Sequence, residues 1–167
     1  MFRTIADFES AFQSSAESTL KVMRALTDAS LSQPIAAKSR TLGQVAWHVA
    51  TSLKEMAERT GLSVDGPAYD APVPEHASAI AEAYDRSAKS LLAAIKEAWS
   101  DEDLEVEDPM YGQPWKRCYT LFILVVHEVH HRGQMTVLLR QAGLVVPGVC
   151  GPAREEWATF GMEAPEM

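Results

Sequence analysis

The sequence predicts an all-α protein, a four-helix bundle with a long crossover between its second and third helices. In four stretches of roughly 20–28 residues, apolar side chains recur at three- and four-residue steps, as in helices that bury one face. Between the second and third stretches Pro67, Pro72 and Pro74 forbid a helix. No segment carries a convincing alternating strand pattern. Four amphipathic helices without strands pack as a bundle.

The first helix runs from about Thr4 to Asp28, with Ile5, Phe8, Phe12, Leu20, Met23 and Leu26 on its apolar face. Ala, Glu and Lys fill the gaps, and the loop-forming stretch Ser30 to Pro34 follows. The second starts after Thr41, an N-cap residue type, and runs to about Thr60 through Leu42, Val45, Val49, Leu53 and Met56. Gly61 marks its end. The connection from Leu62 to Pro74 is long for a compact domain and is expected to cross the end of the bundle. The third helix spans about Glu75 to Ser100, carrying Ile80, Tyr84, Leu91, Leu92, Ile95 and Trp99. The acidic stretch Asp101 to Asp108 and the segment Pro109 to Pro114 then interrupt, as a short extended pair or as plain loop. The fourth helix runs from about Trp115 to Ala142 and stops at Gly143. The tail contains Pro147, Gly148, Gly151 and Pro152 and is irregular, with a short helix near Arg154 to Phe160.

Composition narrows the function classes. The 167 residues suit a single domain spanning 1–167, with 47% hydrophobic residues to supply its core. The net charge of -8, with no basic patch, argues against a nucleic acid or an anionic membrane surface as partner. The longest apolar run, Leu121 to Val126, is far short of the roughly 20 residues needed to span a bilayer. The N-terminus does not read as a secretory signal, and Cys118 and Cys150 are far apart, so the expected location is the reducing cytoplasm.

The chemistry concentrates in His127-Glu128-Val129-His130-His131. His127 and His131 stand four residues apart, one helical turn above the other on one face. With His127 at zero and about 100° per residue, His131 falls near +40°, among Thr120, Ile123, Leu124, Gln134 and Leu138. Two imidazoles among aliphatics need hydrogen-bonding or metal partners. His48, on the second helix, lies at the edge of the buried stripe beside Gln44, Ser52 and Glu55. Two histidines from one helix and one from another give three nitrogen ligands with an open position, the plan of a catalytic metal site. His130, at three-residue spacing, is an alternative ligand or a rim residue that orients the others or shuttles a proton. Glu55 is a base, an orienting carboxylate, a fourth ligand or a solvated charge. His76 reads as a surface residue, and Trp47 and Trp115 as packing anchors. Cys118 falls on the face opposite His127, and Cys150 reaches the site only if the tail folds over it. His127 to His131 also satisfies the HExxH pattern of zinc proteases. That fold needs a sheet behind the helix and a further ligand downstream, and no histidine follows His131.

The segments Gly43 to His48 (GQVAWH), His127 to Met135 (HEVHHRGQM) and Leu138 to Pro152 together resemble the DinB/YfiT-like superfamily of metal-dependent enzymes, over essentially the whole chain. The resemblance implies a four-helix bundle with an unusual order of helix directions. It implies a divalent metal, commonly zinc or nickel, on His48, His127 and His131, and frequent homodimers. The family's tail usually has an aromatic where Cys150 stands. Relatives that are enzymes include transferases and isomerases using low-molecular-weight thiols. The leading expectation is therefore a metalloenzyme acting on a small molecule, with a thiol S-transferase or isomerase first and a hydrolase second. A non-catalytic metal-binding or stress-associated protein and a metal-free helical bundle are the competing classes.

Overall fold

The computed structural model describes residues 1–166. Four long helices dominate: α1 (Ile5–Arg24), α2 (Leu42–Glu58), α3 (Ala77–Ala98) and α4 (Arg117–Gln141). Helix α1 packs on α3 and α4, and α2 packs on the same two. Phe8, Phe12, Leu42, Leu53, Ile80, Tyr84, Ile95 and Met135 are among the side chains sealed in the core. Short 3-10 turns sit at Asp28–Ser32, Glu102–Glu105 and Arg154–Phe160.

The helix ends follow their local chemistry. Thr41 accepts from the Gln44 backbone N–H while the Gln44 side chain accepts from the Thr41 backbone N–H, a reciprocal cap that starts α2. Thr4 and Asp7 do the same for α1. Helix α1 ends at Arg24, short of Asp28, because the chain turns into its 3-10 segment there. Asp28 then caps α3 from a distance: one oxygen accepts from the Ala77 N–H at 2.8 Å and the other pairs with His76 at 2.9 Å. The connection from 59 to 76 is fastened along its length. Trp47 Nε1 donates to the Ala71 carbonyl, Lys54 to the Val64 carbonyl, and Ser90 Oγ accepts from the Asp65 N–H.

The all-α expectation is corrected at the one place where the sequence left a short extended pair open. Strands β1 (Glu107–Met110) and β2 (Gln113–Lys116) pair antiparallel, so the chain is mainly helical with one small two-stranded sheet. Tyr111 and Gly112 form its two-residue turn, both at positive φ (51° and 84°), as the hairpin twist requires. Pro109 faces Pro114, one position beyond the bonded pair Met110–Gln113. That is a non-hydrogen-bonded position, so neither proline breaks the ladder. Because Trp115 and Lys116 belong to β2, helix α4 begins at Arg117.

Candidate metal centre

Helix α4 carries His127 and His131 one turn apart, and α2, packed beside it, carries His48. The structure brings the three together: one ring nitrogen from each lies within 4.8 Å of the others. His127 Nε2 stands 3.1 Å from His48 Nε2 and 3.1 Å from His131 Nε2. His131 is buried, and His48 and His127 are half-buried.

The protonation of the cluster is constrained. His131 Nδ1 lies 2.7 Å from Gln134 Oε1, so this nitrogen carries the proton and donates it. A neutral His131 then presents a bare Nε2 to His127. One proton on His127 Nε2 serves only one of its two neighbours. Without that proton, the His127–His131 contact sets two lone pairs face to face. A shared cation satisfies all three lone pairs. Two nitrogens bound to a tetrahedral zinc at about 2.0–2.1 Å stand roughly 3.3 Å apart, close to the observed spacing. The residues present therefore fit a divalent ion.

Electrostatics favours the ligand state. Burial, reinforced by Arg40 and the neighbouring imidazoles, lowers His48 to about 4. Burial and the His131 and His130 imidazoles lower His127 to about 4, with Glu55 opposing. His131 is also lowered by burial, against the Gln134 hydrogen bond. At neutral pH all three are uncharged, each with a free lone pair.

A cavity of about 570 Å³ opens against His48 and His127. Ser52, Met56 and Ile123 line it, Tyr69 and Tyr111 stand at its rim, and Glu55 and Arg59 close the end remote from His48 along α2. Glu55 joins no imidazole. Its two oxygens are held by Arg59 Nε and by the Tyr111 hydroxyl, the latter at 2.6 Å. Burial and the Glu55 carboxylate push the Tyr111 phenol up. The Arg59 guanidinium lies over the Tyr111 ring, 4.4 Å from its centroid.

The remaining sequence candidates separate clearly. His130 is exposed and meets the Gln134 amide at 3.2 Å, outside the three-nitrogen group. Among the described residues no Cys, Asp, Glu or further His completes that group. Cys118 is buried and Cys150 exposed, both unpaired. His76 pairs with Asp28 at the surface, Trp47 anchors the 59–76 connection, and Trp115 stacks edge-on between Tyr111 and Tyr119.

Glu128 points away from the imidazoles, which disposes of the HExxH reading. One Glu128 oxygen accepts from Ser15 at 2.8 Å and Thr19 at 2.7 Å, the other from Tyr84 at 2.9 Å. Arg132 lies beside it at 3.5 Å and also donates to the Ser15 carbonyl and both hydroxyls. Burial raises Glu128, while the bonds from Thr19, Ser15 and Tyr84 and the Arg132 charge oppose the rise. The Glu128–Arg132 pair thus repeats the four-residue spacing of His127–His131 about a third of a turn round α4, and fastens that helix to α1 and α3. Sequence reasoning did not find this network, nor Arg59, Tyr69 and Tyr111. The interleaved four-residue spacing of Glu128 and Arg132 was the available signal.

The chain matches the model of the DinB family over residues 1–167. It belongs to the DinB family. This DinB protein is 43% identical over 167 residues, the full length of both chains, to the uncharacterized protein YrdA of Bacillus subtilis (strain 168). Its fold resembles a DinB-like protein from Bacillus cereus ATCC 10987, with TM-score 0.86 and 44% identity, covering 89% of this chain and 99% of that one. A second DinB-like protein, YjoA of Bacillus subtilis, superposes with TM-score 0.67 at 20% identity, covering 86% and 96%, and shows the shared fold. No helix among the described residues is long and apolar enough to cross a membrane.

Proposed function

We propose that this DinB protein is a metal-dependent enzyme in which His48, His127 and His131 hold one divalent ion, zinc or nickel, and that the adjoining cavity takes a small-molecule substrate. The observation that carries the reading is the convergence of three neutral imidazole nitrogens at a cavity wall, with no fourth protein ligand among the described residues. A closed structural site fills its coordination from protein, whereas a catalytic one keeps a position for substrate. When bound, the ion supplies Lewis acidity toward the donor atom that the cavity admits, which favours the deprotonated form of a thiol or water. The protein's own part is orientation. Gln134 fixes the His131 tautomer. The Glu128–Arg132 network holds α4 in the rotation that aims His127 and His131 at His48. Transfer or isomerisation with a low-molecular-weight thiol is the first reaction class to assay and hydrolysis the second.

We read residues 1–167 as a single four-helix-bundle domain, with the 59–76 connection as its crossover. The unpaired state of Cys118 and Cys150 supports a cytoplasmic location. We also propose a homodimer, through the outward face of α4.

The test is metal content. Untagged protein incubated with zinc or nickel should retain one ion per chain by inductively coupled plasma mass spectrometry. His127→Ala and His131→Ala should each lose it, and Cys118→Ser should keep it. Full retention in the His127→Ala/His131→Ala double variant would overturn the assignment.

A further inference from the structure

We propose that the substrate is a small carboxylate-bearing molecule lying lengthwise in the cavity, its reacting end at the three-histidine centre and its carboxylate on Arg59. This rests on the metal reading above and goes beyond it by naming the substrate class.

Three neutral imidazoles leave the two positive charges of a divalent ion uncompensated. The one carboxylate lining the cavity, Glu55, is already committed to Arg59 and Tyr111. A ligand that brings negative charge is therefore favoured over a neutral or cationic one of the same shape.

Arg59 is engaged on one edge and one face. Its Nε donates to Glu55, and its plane lies on the Tyr111 ring. Both contacts orient the guanidinium, which stays 41% exposed. Glu55 engages only Nε, so the terminal nitrogens keep N–H groups for a further acceptor beside the Tyr111 hydroxyl that also acts on the guanidinium. A planar fork so oriented, with terminal N–H groups to spare, can take a carboxylate through two parallel hydrogen bonds.

Tyr111 is out of place in its turn. It occupies a turn position at φ 51°, where Asn, Asp or Gly is the unstrained choice. The turn does not need tyrosine. The side chain serves the cavity instead, as the platform for Arg59 and, with Tyr69, as one of two rings that line it. Between the ends, Met56 and Ile123 offer an apolar wall for the body of the ligand.

The probe is a series of ω-carboxy hydroxamic acids of graded chain length, each paired with its methyl ester. The hydroxamate engages the metal and the far carboxylate reports on Arg59. Binding to zinc-loaded protein is measured by calorimetry, with zinc content determined on the same samples. One acid in the series should bind at least tenfold more tightly than its ester. Arg59→Gln should erase that gap at unchanged zinc content, and Arg59→Lys should restore part of it. Equal binding of acid and ester across the series, or no binding of either, by protein holding one zinc per chain would overturn the substrate class and leave the metal site standing. Failure to hold zinc would overturn the metal reading, and this proposal with it.

Discussion

His131 shows how much one residue's surroundings decide. Its lone pair is aimed by Gln134, its charge is suppressed by burial, and its neighbours are two further imidazoles. The suppression has a testable sign. In the unfolded chain a histidine takes up a proton below about pH 6.5, whereas folding holds His48 and His127 at about 4. The unfolded state therefore binds more protons between those values. The stability contributed is full above pH 6.5 and is lost as the pH falls toward 4. Asp28 raises His76, whose contribution runs the other way, so urea midpoints are compared in the metal-free His76→Ala protein; they should fall steadily from pH 7 to pH 5, and a flat profile there would show that the imidazoles are not held neutral. Glu128 gives the complementary case. Glu128→Ala strands Arg132 in the core without its counter-charge and should lower unfolding stability by about 3–5 kcal/mol. A loss below about 1 kcal/mol would mean that the network is not what fastens α4. The two cases differ in legibility. The histidines were readable because apolar periodicity shows which way a helix faces. Nothing in the type of Glu128 and Arg132 marks them as buried, and only the arrival of Ser15, Thr19 and Tyr84 from other helices makes their burial tolerable.

At the scale of elements, helix identity was legible throughout and helix ends mostly so. Thr41 and Gly61 bound α2 where capping chemistry places them, Gly61 at φ 82°. The hairpin was only half legible, as one of two readings, because Pro109, Pro114 and four charged or amide residues carry no strand signal of their own. Its pairing depends on register, which puts both prolines where no ladder bond is lost. The cavity rim stayed hidden with it, since Tyr111 reaches Glu55 and Arg59 only once the turn forms. Tyr111→Asn separates what the turn needs from what the cavity needs. Asn tolerates positive φ, so relief of backbone strain offsets the lost ring contacts, and net stability should change by less than about 1 kcal/mol. A shift within about 4 °C is the thermal equivalent for a protein of this size. The preferred carboxy hydroxamate should nevertheless bind several-fold more weakly, as Arg59 loses its platform. Unchanged affinity would remove Tyr111 from the site.

For the whole molecule, the informative surface is the outward side of α4. Tyr119, Phe122, Val126, Val129, Gly133 and Val137 follow one another at three- and four-residue steps, and all are exposed. The other faces of α4 are already spent on α1, α2 and the three-histidine centre. A continuous apolar seam at this spacing is what one helix offers another. In a homodimer with two-fold symmetry, α4 would pack against its own copy, each seam covering the other. Gly133 sharpens the argument. A Cβ there would meet nothing within 4 Å in its own chain, so no internal contact calls for glycine in mid-helix. Glycine costs a helix about 1 kcal/mol relative to alanine, and close approach of a second backbone is the reason that remains. Gly133→Ala therefore discriminates by sign. If the seam is solvated, the substitution should raise stability by up to about 1 kcal/mol through helix propensity alone. If two copies meet there, the new methyl should weaken the dimer instead. Sedimentation should then show Gly133→Ala dissociating at a higher concentration than the wild type, and Val129→Glu monomeric throughout. A wild-type protein that sediments as a monomer, with a more stable Gly133→Ala, would leave the seam without a partner copy.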